Sequence, residues 1–320
     1  MPIFELHRMT STMQVVALAG GVGGARLVDG LAQVLPPEHL TVLVNVGDDF
    51  QHLGLKICPD LDTVCYTLAG KANPETGWGR VDETWNALES LGELGGPTWF
   101  RLGDRDLALH LERTERLHMG LPLSQVTYDL CKKMGIQVRV LPVTDDAVPT
   151  MVQTLDAELA FQDYFVRQQC EPVITGFRFA GVENATPAPG VIEALRKADL
   201  IVLCPSTPWV SLDPILAIPG VGEALNLRRV VGVSPIIGGQ TVKGPAAKMF
   251  RDLGMEASAL AVAQHYERQL SGFVIDERDA AQAEAVQQLD ILPYVTDTIM
   301  KSRFDRRRLA MEILEFSRLL

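Results

Sequence analysis

The chain has 320 residues, 47% hydrophobic and 22% charged, with 29 basic and 40 acidic side chains and a net charge of -11. This describes a globular chain long enough for a large core. An acidic balance without a basic tract argues against nucleic acid as a partner. No apolar run is long enough to span a bilayer, which argues against a membrane partner.

Residues 1–13 mix polar and apolar side chains without the basic-then-apolar order of a signal peptide, and read as an N-terminal extension. Met1, Met9 and Met13 are alternative starts. The apolar run Val15–Ala19 then leads into Gly20-Gly21-Val22-Gly23-Gly24-Ala25-Arg26, with a helix starting near Gly24. Strand, glycine turn and helix let backbone N–H groups approach a phosphate at a helix N-terminus. The loop fits neither standard fingerprint. Arg26 stands where a dinucleotide loop has its third glycine, and the Gly-Lys-Ser/Thr ending of a P-loop is missing.

A second strand, Leu40–Val46, runs into Asn45-Val46-Gly47-Asp48-Asp49. Adjacent carboxylates at a strand end suit Mg²⁺, a hard cation with oxygen ligands, or form a solvated turn. In Cys58-Pro59-Asp60-Leu61-Asp62-Thr63 a helix begins near Asp62. One carboxylate caps it, with Asp60 a good N-cap. The other, turned toward the glycine loop, would complete a metal site with Asp48 or act as a base.

Helices start near Asp82 and Asp106, on either side of a strand over Thr98–Leu102. That strand's end, Arg101-Leu102-Gly103-Asp104-Arg105-Asp106, offers guanidinium groups to a phosphate or an acidic heterocycle, or pairs with itself. A helix near Ser124 and a strand Val138–Val143 follow. The aromatic stretch Thr150–Gly181 is irregular and reads as an inserted lobe or antiparallel extension.

After a helix near Pro189, the strand Leu200–Cys204 ends in Pro205-Ser206-Thr207-Pro208, whose hydroxyls suit a phosphate or ribose. The strand Val230–Val233 ends in Ser234-Pro235-Ile236-Ile237-Gly238-Gly239, followed by Lys243 and a helix near Pro245. A strand over Phe273–Ile275 and an amphipathic helix near Asp305 close the chain.

This alternation predicts an α/β, Rossmann-like, mostly parallel sheet with helices on both faces over residues 14–320, carrying a smaller inserted lobe around 150–181. In such sheets ligands sit beyond the carboxyl ends of the strands, where these polar loops fall. The five cysteines are scattered without C-x-x-C spacing, as in reduced thiols of a cytoplasmic protein. No nucleophile elbow or zinc motif is present, and the six histidines lack metal spacing. Glycines, carboxylates and a few cations favour metal-assisted chemistry at phosphorus, where positioning and charge neutralisation supply most of the rate.

Taken together, the stretches 20–26, 47–49, 58–63, 103–106, 205–208 and 234–238 resemble the 2-phospho-L-lactate transferase and phosphoenolpyruvate transferase family of coenzyme F-420 biosynthesis. The resemblance covers nearly the whole chain, and the order of the Asp-rich motifs is its specific part. It implies a guanosine diphosphate-linked three-carbon acid as donor, either lactyl-2-diphospho-5'-guanosine or enolpyruvyl-2-diphospho-5'-guanosine. The acceptor would be the terminal ribityl hydroxyl of 7,8-didemethyl-8-hydroxy-5-deazariboflavin, a deazaflavin; GMP would leave, with Mg²⁺ as cofactor and a homodimer as the assembly.

Within that scheme Asp48, Asp49 and Asp62 are the expected metal ligands, Asp62 and Asp48 the catalytic pair, and Asp62 and Arg101 the deazaflavin contacts. Gly20, Gly21, Gly23, Gly24, Arg26, Ser206, Thr207, Ser234 and Lys243 are the expected diphosphate and nucleotide contacts. The alternative is a non-enzymatic nucleotide-sugar-binding regulator of the same fold, which would not need the Asp60-Leu61-Asp62 or Gly-Asp-Arg-Asp segments. A nicotinamide dehydrogenase is disfavoured by Arg26 and by Asn45, which stands where an acid would hold the ribose.

Overall fold

The computed structural model describes residues 12–226, 228–242 and 244–320. Most of the expected extension (residues 1–11) and Lys243 lie outside the described residues.

In chain order the strands are β1 (Val15–Ala19), β2 (Leu40–Val44), β3 (Phe50–His52), β4 (Leu55–Ile57), β5 (Arg139–Pro142), β6 (Thr150–Thr154) and β7 (Glu158–Ala160). They continue as β8 (Ile174–Phe179), β9 (Leu200–Leu203), β10 (Val230–Val233), β11 (Ile236–Ile237), β12 (Gln240–Thr241), β13 (Gly272–Asp276) and β14 (Leu292–Thr296). Among the described residues, helices of ten or more residues are α1 (Gly21–Ala32), α2 (Pro59–Leu68), α3 (Asp104–His118), α4 (Leu123–Lys133) and α5 (Arg303–Phe316).

Seven strands form one sheet in the order β14-β13-β10-β9-β1-β2-β5. Every pairing in it is parallel, as expected of a Rossmann-like sheet. The runs Val-Val-Ala-Leu-Ala of β1 and Leu-Ile-Val-Leu of β9 are buried throughout, the signature of strands covered on both faces. From β1 the chain moves outward through β2 to β5, then returns to β9 and moves the other way. Right-handed crossovers running in opposite directions put their helices on opposite faces. The reversal lies between β1 and β9, and the loops after these strands flank the resulting crevice.

The segment from Thr150 to Phe179 forms a separate antiparallel sheet in the order β7-β6-β8. Helix α5 packs on α1, where buried Asp29 accepts from Arg306 at 3.1 Å and from Arg303 at 3.3 Å. Gly30 permits this approach, since a Cβ there would stand 2.2 Å from the Arg306 carbonyl oxygen.

Two expectations fail. Thr98–Leu102 is not a strand, because Trp99 and Phe100 both turn onto Phe50, whereas consecutive strand side chains face opposite ways. The helix expected near Asp82 starts at Asn86; Asp82 itself is left-handed, with φ +55°. Strand β14 went unread because it contains Pro293; at the sheet edge a missing N–H is tolerated.

Candidate active site

The glycine loop leaves β1 with Gly20 extended and Gly21 left-handed at φ +64°, a conformation glycine adopts without penalty. Its glycines admit neighbouring chain as well as any ligand. A Cβ on Gly23 would stand 2.3 Å from the Pro205 carbonyl oxygen, and one on Gly24 2.9 Å from Ser206 Oγ. Ser206 Oγ donates to the Gly20 carbonyl at 2.8 Å, so the loops after β1 and β9 are fastened across the crevice.

Below them lies Asn45, fully buried after β2. Its Nδ2 donates to Asp48 Oδ1 at 3.0 Å, Asp60 Oδ2 at 2.8 Å and the Val210 carbonyl at 2.9 Å. Asp60 Oδ1 in turn accepts from the Gly21 N–H at 2.6 Å. Gln162, from the segment after β7, donates to Asp48 Oδ2 at 3.3 Å. The two carboxylates are thus held by neutral donors.

Their ionisation reflects this. Burial, then the charges of Asp60 and Asp49, push the Asp48 carboxyl well above its usual range. Burial raises Asp60 to about 6 against the Asn45 and Gly21 hydrogen bonds.

The structure therefore brings Asp48 to Asp60. Asp60 does not cap α2: the cap position is Cys58, and Asp60 reaches across to the glycine loop instead. Asp62 faces away from this pair. Its carboxylate is ion-paired with buried Arg113 of α3, Nη1 to Oδ2 at 3.1 Å. His110 Nδ1 lies 3.7 Å from Asp62, and His110 Nε2 3.3 Å from Asp106, which accepts from Tyr66 Oη at 2.6 Å. Asp49 is paired with Lys56 at 3.0 Å, and its Oδ1 is buried without a hydrogen-bond partner.

The remaining expected contacts are placed as follows. Arg26 donates to the Met300 carbonyl at 3.2 Å. Arg101 is exposed, its guanidinium 4.3 Å from the centre of the Trp85 ring. Thr207 is half-buried where the Pro208–Leu212 turn begins. Ser234 is buried and closes on its own loop, donating to the Ile236 carbonyl at 2.9 Å.

Sequence reading missed Asn45 as a hub, Asp60 as the partner of Asp48, and Arg113 and His110 altogether. It also missed an aromatic cluster beside the acidic loop. Phe50 meets Phe100 at 4.8 Å between ring centres, and His52 meets Trp99 at 5.3 Å. Arg113 and His110 recur three residues apart on the inner face of a helix, the one signal that they are buried.

Among the described residues no three His, Cys, Asp or Glu side chains form a ready-made cation cage. The Asp48–Asp60 pair nevertheless fits Mg²⁺. Two buried carboxylates without a cationic partner among the described residues supply the one or two protein ligands that this ion takes beside substrate phosphates. A concavity of about 850 Å³ lies at the opposite sheet edge, lined by Val16, Thr41, Tyr128 and Val140, away from these groups. No helix among the described residues is long and apolar enough to cross a membrane.

Comparison with known proteins gives the family and the fold. The family model for 2-phospho-L-lactate transferase CofD matches residues 15–314. A phosphoenolpyruvate transferase of Streptomyces coelicolor is 45% identical over 310 residues, covering 94% of this chain and 97% of that protein. One of Thermobifida fusca is 45% identical over 300 residues, covering 89% and 93%. In fold, the chain is similar to a crystal structure of a UPF0052 family member from Bacillus halodurans. That likeness has a TM-score of 0.64 at 16% identity and covers 94% of this chain and 98% of the other. With its family model and its relatives matched over nearly their full length, this chain belongs to the 2-phospho-L-lactate transferase CofD family.

Proposed function

We propose that the protein transfers the phosphate-linked three-carbon acid of enolpyruvyl-2-diphospho-5'-guanosine to the ribityl hydroxyl of 7,8-didemethyl-8-hydroxy-5-deazariboflavin. The enolpyruvyl donor is favoured over lactyl-2-diphospho-5'-guanosine by the phosphoenolpyruvate transferase names of the relatives. The hydroxyl oxygen attacks the phosphorus bearing the three-carbon acid. The bond to the bridging oxygen breaks, GMP leaves with that oxygen, and a phosphodiester remains.

The observation that carries this reading is the uncompensated pair Asp48 and Asp60, held beside the Gly21 N–H at the crevice between β1 and β9. This pair would hold Mg²⁺, which supplies neutralisation of the charge on the diphosphate. The N-terminus of α1 adds partial positive charge on the same side. Pro205–Thr207 forms the facing wall on the guanosine side. Asp62, its direction fixed by Arg113 and turned away from that pair, would contact the acceptor on the α3 side rather than at the phosphorus. Arg101 on Trp85 meets the deazaflavin ring system. The protein acts as a homodimer in the cytoplasm.

The test is mass spectrometry of products after mixing the protein with Mg²⁺, the deazaflavin and each donor in separate reactions. The expected result is a phosphodiester and GMP from the enolpyruvyl donor. Absence of both products with either donor refutes the reading; turnover of the lactyl donor alone reverses the donor choice.

A further inference from the structure

Four acidic side chains at this edge meet two fates. Asp49 is answered by Lys56 and Asp62 by Arg113, so each is already compensated by protein charge. Asp48 and Asp60 are joined by a single carboxamide. A lysine or arginine between them would neutralise the pair; an amide holds two like charges together and leaves them available to a cation.

We propose that Asn45 is a positioning residue whose one side chain sets the spacing and direction of Asp48 and Asp60 and ties both to the Val210 turn, so that the pair accepts a divalent cation. The inference rests on the reading that a cation binds these two carboxylates.

The amide's orientation is determined. Its Oδ1 accepts from the Gly47 N–H at 2.8 Å, and a flipped amide would put NH₂ against N–H there. Its own backbone N–H donates to the Ala19 carbonyl at 3.1 Å, anchoring it at the last residue of β1. The NH₂ group has two hydrogens for three acceptors, so at least one hydrogen is shared. Both carboxylate oxygens therefore converge on one nitrogen. The loop packs closely around it: a Cβ on Gly47 would stand 3.0 Å from Asn45 Oδ1 and 2.4 Å from Thr150 Oγ1. The third acceptor matters because Val210 follows Ser206 on the strand-end segment that faces the glycine loop. Cation, acidic loop and the wall after β9 are thus referred to one atom.

The test is calorimetric titration with Mn²⁺, without donor or acceptor, alongside thermal melts in EDTA. Asn45→Ala should weaken Mn²⁺ binding by about tenfold or more, the usual effect of removing a partner that orients metal ligands. Leu61→Ala, a core cavity on the same helix as Asp60, should lower the melting temperature while keeping Mn²⁺ affinity. Asn45→Gln, which keeps the amide on a longer stem, should also lose affinity, and it serves if the alanine variant does not fold. Wild-type affinity in a folded Asn45 variant, or an equal loss in Leu61→Ala, overturns the positioning role. A wild-type protein that binds no Mn²⁺ overturns the cation reading itself, and this inference with it.

Discussion

Arg113→Met removes the guanidinium from the Asp62 ion pair and leaves a carboxylate whose side chain is 9% exposed. The lost contacts are the pair itself, the donation from Nη1 to the Lys56 carbonyl at 3.3 Å and the 3.2 Å contact of Nη1 with His110 Nδ1. Breaking one side of a buried pair costs about 3–5 kcal/mol, because the remaining charge is desolvated without compensation. For a chain of this size that is a fall of roughly 6–10 °C in melting temperature, at about 2 °C per kcal/mol. The double variant Arg113→Met/Asp62→Leu removes the orphaned charge and should recover most of the loss, giving a coupling of the same order in a double-mutant cycle. Urea unfolding of the four proteins measures it. A change of less than about 1 kcal/mol in Arg113→Met, the value of an exposed pair, refutes the claim that Asp62 is held by a desolvated partner. The cycle also separates folding from chemistry. Asp62→Asn should abolish transfer at temperatures where its melt shows it folded, and wild-type turnover there removes Asp62 from the acceptor site.

Asp60, raised from 3.8 to about 6 chiefly by burial, binds its proton more tightly folded than unfolded. Its stabilising contribution is complete below pH 4 and lost as pH rises through about 6, a change of about 3 kcal/mol for a shift near two units. In EDTA, the stability of wild type relative to Asp60→Asn should therefore fall across that window; parallel curves would contradict the burial of an uncompensated carboxylate. Gly23→Ala pushes a methyl into the Pro205 carbonyl and should destabilise by about 1–3 kcal/mol, with weakened GMP binding in calorimetry; unchanged melting would show that the two loops are free to part. Trp85→Ala removes the ring under Arg101 and should weaken quenching of deazaflavin fluorescence while leaving GMP affinity unchanged.

The central strands were legible because burial on both faces leaves continuous apolar runs such as Leu200–Leu203, which need no partner information. The carboxyl-edge rule then placed the loops after β1, β2, β9 and β10 correctly. The segment at Trp99 misled for the same reason: two adjacent apolar residues look like a strand, yet these pack on Phe50 across the chain. The expected pattern of a polar loop after each strand therefore fails at Arg101, which sits on Trp85 instead.

The misassignment within Asp60-Leu61-Asp62 has a geometric cause. Residues two apart on a helix point about 200° apart, so the two carboxylates must face opposite ways. Which one faces the glycine loop depends on where the helix starts. With Pro59 at its first position, Asp60 meets Gly21 and Asp62 meets Arg113. Arg113 lies 51 residues further on, beyond any local pattern. Composition therefore marks where carboxylates collect, but not which of them are already paired with a cationic side chain. Only the long-range partners decide that, and they leave Asp48 and Asp60 as the pair able to bind a cation.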